Sequence, residues 1–357
     1  MLTIVSIEVH VLEQENNHMH STSTWRKGVI TSLVVALGFL FTGCTPPEKN
    51  DSSATVSYVD AKERTVEIPE NPKRVITLSE PALDDAIALD VTPVGTAASR
   101  GQSDKVASYL PASAQEIPVV GQLTTPDLEK IRSASPDLII TDGTAINDDV
   151  LLGKLNDIAP TIWVGDAGNP IWQDHFQKVA NALNKEEEAK KIISDFDAEA
   201  QKVKDGLGPN ANSQISIVRW GLASGAFLPL STFPSKIVTS LGMTRPEGQN
   251  IEGAGHSEQV SLENIDLLDG DWMFFCTLGG AAGAETVRDG GGDTGVKASD
   301  QTLEKAKELA PTFANLSVIQ RGKVITVDGT AWGSAGGALA AKTVLADIKT
   351  HLTTLEN

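Results

Sequence analysis

Short apolar runs that alternate with helix-patterned segments constrain this chain's fold more than any other feature. Arg74-Val75-Ile76-Thr77-Leu78, Pro93-Val94-Gly95, Ile117-Pro118-Val119-Val120-Gly121, Asp137-Leu138-Ile139-Ile140-Thr141 and Thr161-Ile162-Trp163-Val164 read as buried strands. Between them, Pro81 to Asp90 carries Leu83, Ala86 and Ile87 on one helical face, and further helices are expected from Pro126 and over 148–157. Strands and helices in alternation imply a parallel sheet covered on both faces. A strand pair, Val56 and Tyr58 against Thr65 to Ile68, precedes this region and turns at Asp60-Ala61-Lys62.

The middle of the chain breaks the alternation. Trp172, Phe176, Val179 and Leu183 step by four, three and four, the spacing of an amphipathic helix. Asn184 interrupts it, and a second helix from Lys185 carries the stripe Ala189, Ile192, Ile193, Phe196, Ala200 and Val203. At ~1.5 Å per residue this helix spans about 30 Å, the width of a small domain. Gly206 and Gly208-Pro209 stop it. A second α/β unit follows: strands at Ile215–Trp220, Asp271–Phe275 and Lys323–Val327, helices at Pro234–Leu241, Leu303–Leu309 and Ala338–Leu352. The expected fold is α/β, with two Rossmann-like, parallel-rich lobes joined by one long helix and a ligand cleft between them. The boundaries are an N-terminal lobe over 56–184, a linker helix over 185–205 and a C-terminal lobe over 206–357.

The start of the chain predicts location. Arg26-Lys27, the 14-residue apolar stretch Gly28 to Phe41 and Phe41-Thr42-Gly43-Cys44 have the layout of a secretory signal with a lipobox ending. The stretch is short of the ~20 apolar residues that span a bilayer. Residues 1–43 are therefore expected to be a signal peptide, and Met19 is the expected true start, because the acids and histidines before it do not suit one. Cys44 is expected to carry lipid at the outer face of the cytoplasmic membrane, with 44–55 as a flexible tether. Cys276 is the one cysteine beyond Cys44, so no disulfide is available within the body.

From Cys44 onward the chain has 27 basic and 44 acidic residues, a net charge of −17. Such a surface argues against a nucleic-acid partner, which needs basic patches. Catalytic signatures are absent: there is no Gly-x-Ser-x-Gly, HExxH or CxxC, and no enzyme is expected. The glycine-rich stretches 279–283 and 290–292 match no phosphate-binding fingerprint and read as surface loop. Bare-metal capture wants several histidines and carboxylates together. His175, His256 and His351 are widely spaced, which disfavours a multi-histidine site while leaving a carboxylate site open.

The ordered blocks resemble the periplasmic-type substrate-binding proteins that serve ABC importers of ferric siderophores, haem and cobalamin. They are Asn71-Pro72-Lys73-Arg74-Val75-Ile76, Ala88-Leu89-Asp90, Val120-Gly121 through Pro126-Asp127-Leu128-Glu129-Lys130-Ile131, and Ser135-Pro136-Asp137-Leu138-Ile139-Ile140. Ile158-Ala159-Pro160-Thr161 and Ala182-Leu183-Asn184 continue the likeness. In the second half, Val218-Arg219, Leu241-Gly242-Met243-Thr244-Arg245-Pro246, Val260-Ser261-Leu262-Glu263 and Asp269-Gly270-Asp271 are similar to ferric-siderophore binders of Gram-positive, actinobacterial type. The resemblance implies a monomeric lipoprotein with a shallow cleft, little closure, no cofactor, and a permease with its cytoplasmic ATPase as partner. Haem or cobalamin is the alternative ligand within the family.

A ferric siderophore presents an oxygen-rich and often anionic shell, so cationic donors and aromatic faces are expected around it. Arg219, next to Trp220, offers a planar set of donors for carboxylate, catecholate or hydroxamate oxygens. Arg100 has the corresponding place in the first lobe. The resemblance adds His256 as a pocket histidine, able to serve as an axial haem ligand, and Trp332 as an aromatic against the ligand. Arg245 suits structural use as well as contact. Glu129 and Glu263 open helices, one per lobe, and the resemblance implies that they meet arginines on the transporter; first-turn acids are also favoured by the helix dipole alone.

Overall fold

The computed structural model describes residues 54–355, apart from 144, 167–170, 222–223, 253–256, 279–294 and 334–335. The expected signal, Cys44 and the start of the tether, His256 and both glycine-rich stretches therefore lie outside the described residues. Residues 51–357 form one compact unit. No helix among the described residues is long and apolar enough to cross a membrane.

An antiparallel hairpin, β1 (Thr55–Val59) with β2 (Thr65–Pro69), leads into the first lobe. Its turn is built by Asp60, whose carboxylate accepts from the backbone of Lys62 and Arg64 and pairs with the Arg64 guanidinium. Next come β3 (Val75–Thr77), α1 (Glu80–Ala88), β4 (Gly95–Thr96), the hairpin β5 (Gly121–Gln122) with β6 (Thr125–Pro126), and α2 (Leu128–Ser133). The lobe continues through β7 (Leu138–Thr141), α3 (Asp149–Asn156) and β8 (Thr161–Trp163). Strands pair in the order β4-β3-β7-β8, all parallel. The strand expected over Ile117–Gly121 shrinks to a single bridge from Val119 to Thr96. Pro118 cannot donate to a ladder, and Gly121, at φ 135, turns the chain into β5.

Two helices cross the middle, α4 (Trp172–Ala182) and α5 (Glu186–Gly206). Asn184 breaks between them at φ 55, a left-handed conformation that Asn tolerates better than most residues. The apolar stripe of α5 buries Ala189, Phe196 and Val203, with Phe196 edge-on to Trp172 at 5.0 Å.

The second lobe runs through β9 (Ile215–Trp220), β10 (Gly225–Phe227), α6 (Phe233–Ser240), β11 (Glu258–Gln259) and β12 (Trp272–Cys276). It then forms α7 (Val296–Leu309), two short turns α8 (Pro311–Ala314) and α9 (Ser317–Gln320), and β13 (Val324–Thr326). A short α10 (Gly329–Trp332) and the closing helix α11 (Ala338–Leu352) end it. Its sheet has the order β11-β10-β9-β12-β13, in which β9, β12 and β13 pair in parallel and β10 pairs antiparallel with both β9 and β11. The strands β10 and β11 are too short for alternation to reveal. Gly225 is required there, since a Cβ would sit 2.8 Å from the Trp220 ring.

The core joins the two halves. Val75, Leu138 and Ile162 of the first sheet share one buried cluster with Ile215, Ile217 and Phe274 of the second and with Val344, Leu345 and Ile348 of α11. Separate clusters fill the far faces, around Ile76, Ile131 and Ile139 in one lobe and around Phe275, Phe313 and Leu268 in the other. Although it closes the second half of the sequence, α11 packs on α1, α4 and α5 as well as on α6.

Candidate functional site

Ligands of open α/β sheets bind beyond the carboxyl ends of the strands, so the site is sought where β3, β4 and β7 face β9, β12 and β13. On the first lobe, Ser79 follows β3 and caps α1 by accepting from the Ala82 amide. Glu80 opens the helix with its side chain buried. One Glu80 oxygen accepts from the backbone amide of Arg100 at 2.7 Å, and the other lies 3.6 Å from Arg100 Nε. The loop after β4 is thus tied to the start of α1, and it carries Arg100.

On the second lobe, Arg219 projects from β9. It donates through Nη1 to the Gly333 carbonyl at 3.2 Å and through Nη2 to Ser257 Oγ at 2.6 Å. Both partners are neutral, and among the described residues no carboxylate forms an ion pair with Arg219. Burial lowers its pKa from the ordinary arginine value, and the positive charge of Arg100 acts in the same direction. The two arginines, one from each lobe, therefore lie within electrostatic reach of each other.

A polar seam lies beside them. Ser108 of the first lobe donates to Asp328 at 2.7 Å and sits 3.3 Å from Thr330. Asp328 also caps α10 through the amides of Thr330 and Ala331. Deeper in, Asp84 and Asp85 of α1 hold the start of α11: Asp84 accepts from the amides of Leu339 and Ala340, Asp85 from that of Ala338. Gly337 makes room for them, because a Cβ there would lie 2.5 Å from Asp85 Oδ1 and 2.6 Å from Asp84 Oδ1. Tyr109 donates to Asp84 at 2.7 Å. His175 of α4 bridges Asp85 at 2.6 Å and Asp142 at 3.2 Å. Burial raises Asp84 to about 7, assisted by the charge of Asp85, and burial raises Asp85 as well. Burial by itself would lower His175, but its bonds to Asp142 and Asp85 outweigh that and push it up to about 10.

Several expected contacts take other roles. Trp220 is buried and packs on Phe313, at 4.6 Å between centroids, and on Phe275, so it belongs to the second lobe's core. Trp332 is fully buried, stacked on Phe274 at 4.2 Å, with Nε1 donating to Asp347. Arg245 is buried as well, and its donors go to Ile215 O, Ser235 and Gln249. Each is enclosed by protein, which leaves no face for a ligand. Glu129 is exposed in the first turn of α2, beside the capping Asp127. Glu263 is exposed in a 3₁₀ segment, Leu262–Leu268, rather than an α-helix.

Sequence reasoning passed over the Asp84, Asp85, His175 and Asp142 group. Its one legible signal is a pair of adjacent acids inside the otherwise apolar run Pro81 to Leu89. Two other features can be set aside. A cavity of about 860 Å³ on the outer side of the first lobe already has its cations paired, Lys62 with Asp149 and Arg64 with Asp60. Cys276 is buried and its thiol is pushed up to about 12 by that burial, which is the reverse of an activated nucleophile.

Comparison with known proteins gives one family. Residues 75–331 match the family model described as periplasmic binding protein. The protein named "Probable siderophore-binding lipoprotein YfiY" of Bacillus subtilis (strain 168) is 31% identical over 316 residues, covering 85% of this chain and 91% of the relative. The petrobactin-binding protein YclQ of the same organism is 26% identical over 332 residues, covering 88% and 93%. Among solved structures, Staphylococcus aureus SirA complexed with staphyloferrin B superposes with a TM-score of 0.67 at 23% identity, covering 84% of this chain and 98% of that one.

Proposed function

Because this chain belongs to the periplasmic binding protein family, we propose that it is an extracytoplasmic, lipid-anchored solute-binding protein. It captures a ferric siderophore and delivers it to an ABC importer for iron uptake. Relatives named for siderophore and petrobactin binding support the ligand class, and the word lipoprotein in the names of two relatives supports the anchor at Cys44. These relatives come from Bacillus subtilis and lend nothing to an actinobacterial source.

One observation carries the ligand chemistry: Arg219, half-buried near the carboxyl end of β9, donates to a carbonyl and a hydroxyl and pairs with no carboxylate among the described residues, while Arg100 of the other lobe lies within electrostatic reach. The partners of Arg219 among the described residues are neutral, and an anionic chelate shell would supply a countercharge. Arg219 is therefore assigned as the central ligand contact and Arg100 as its counterpart. Glu129 and Glu263, both exposed and one on each lobe, are assigned to docking on the membrane subunits.

Titration of the body 51–357 with ferric siderophores and haem, followed by tryptophan fluorescence, tests the reading. Saturable quenching by a ferric siderophore is expected. A hydrogen bond to a charged group contributes about 1.5–3 kcal/mol, so Arg219→Ala should weaken binding by roughly 10- to 100-fold without lowering Tm. A response to haem alone would replace the siderophore assignment, and silence across the panel would remove it. Glu129→Arg combined with Glu263→Arg should leave the titration unchanged while abolishing iron uptake by cells. Retained uptake would withdraw the docking assignment.

A further inference from the structure

Resting on the cleft assigned above, we propose that Glu80 is the residue that positions Arg100 and sets the charge selectivity of the site. The two walls of the cleft differ. Arg219 stands on the second lobe with neutral partners, Gly333 O and Ser257 Oγ. On the first lobe Arg100 stands beside a carboxylate that is itself 6% exposed and fixed at the first turn of α1. Glu80 holds both the backbone amide of Arg100 and, at 3.6 Å, its guanidinium Nε. The helix dipole favours a carboxylate at such a helix start, so the position suits an acid as well as the loop it anchors.

Among the described residues the first wall thus presents the Glu80–Arg100 ion pair, and the second presents Arg219 with no carboxylate paired to it. A chelate whose negative charge lies on one side fits this arrangement. A shell with charge on all sides would place an anionic group against Glu80, and like charges brought together in a partly desolvated site repel strongly. Glu80 accordingly selects weakly anionic ferric chelates over trianionic ones.

The test compares the wild-type body, Glu80→Gln and Glu80→Asp against ferric tris-hydroxamate (neutral), ferric citrate and ferric tris-catecholate (trianionic). Gln keeps an oxygen acceptor for the Arg100 amide and removes the charge. In Glu80→Gln, affinity should rise with the negative charge of the chelate, by about tenfold or more for the tris-catecholate, and the salt dependence should steepen. Glu80→Asp should restore the wild-type order. The Arg100 Nε–H resonance in ¹⁵N spectra of the ligand-free body should shift in Glu80→Gln and return in Glu80→Asp. Changes below twofold for every chelate, or an equal loss for all three, would overturn the selectivity. If the wild-type protein bound no chelate, the siderophore reading itself would fall, and an unmoved Arg100 resonance would then overturn the positioning role.

Discussion

The seam behind the cleft and the cleft itself use charge in opposite ways. In the seam, Asp84, Asp85, Asp142 and His175 are nearly inaccessible, and each meets a specific donor or acceptor. At the mouth, Arg219 is half-buried and donates to a carbonyl and a hydroxyl. Burying charge is costly unless it is paired and hydrogen-bonded. A group whose charge is fully answered inside the protein holds the fold; one answered only by neutral dipoles has attraction left for a ligand. Arg245 sharpens the point: its partners are neutral too, but protein encloses it and nothing can reach it.

The harshest way to break the contrast is to empty the seam. Asp85→Ala removes the acceptor for the Ala338 amide and one of the two carboxylates that hold His175. Removing one partner of a buried pair costs about 3–5 kcal/mol. Urea unfolding should show a loss of that size, against a negligible loss for Arg219→Ala. Equal effects of the two substitutions would erase the distinction between seam and cleft.

Titration probes the same seam without mutation. His175 has a folded value of about 10 against an ordinary 6.5, so its stabilisation is complete below pH 6.5 and is lost as pH rises towards 10. Asp84, at about 7 in the fold against 3.8 ordinarily, holds its proton more tightly when folded, so its contribution grows as pH falls from 7 towards 3.8. Both act in the same direction. Each tenfold change in proton affinity between the folded and unfolded chain is worth ~1.4 kcal/mol, so the body should be more stable at pH 6 than at pH 9 by a few kcal/mol. A denaturation series over that range should show the decline, and His175→Gln should flatten its alkaline part. A flat profile for the wild-type body would mean that the seam is open to water.

How much of this was legible in the sequence follows from the range of each interaction. Alternating strands and helices, the break at Asn184 and the length of the central helix are local patterns, and the structure shows them where the residues suggest. Trp220 and Trp332 show the limit. Their type and spacing suit a ligand face as well as a core, and only the approach of Phe313, Phe275 and Phe274 decides for the core. Asp84 and Asp85 were visible as acids in an apolar run, but their partners lie 25, 90 and more than 250 residues further along. Arg219 was legible as a candidate because an arginine beside a strand end carries its chemistry with it. Glu80, one residue from a helix cap, looked like an ordinary first-turn acid until the loop with Arg100 folded onto it.

The smallest expected effect separates the seam from the cleft at their shared edge. Ser108 is exposed, yet its hydroxyl reaches across to Asp328 and Thr330, more than 200 residues away. Asp328 keeps its bonds to the start of α10 when Ser108 is removed, so Ser108→Ala leaves no buried charge unanswered. The cost should be that of one hydrogen bond in contact with water, about 0.5–1.5 kcal/mol. If the bond helps to set the spacing of Arg100 and Arg219, affinity for the ferric ligand should change up to threefold while unfolding changes by no more than that hydrogen bond. A loss as large as that of Asp85→Ala would place Ser108 in the seam. No change in either measurement would show the two lobes to be held by α11 and the shared core alone.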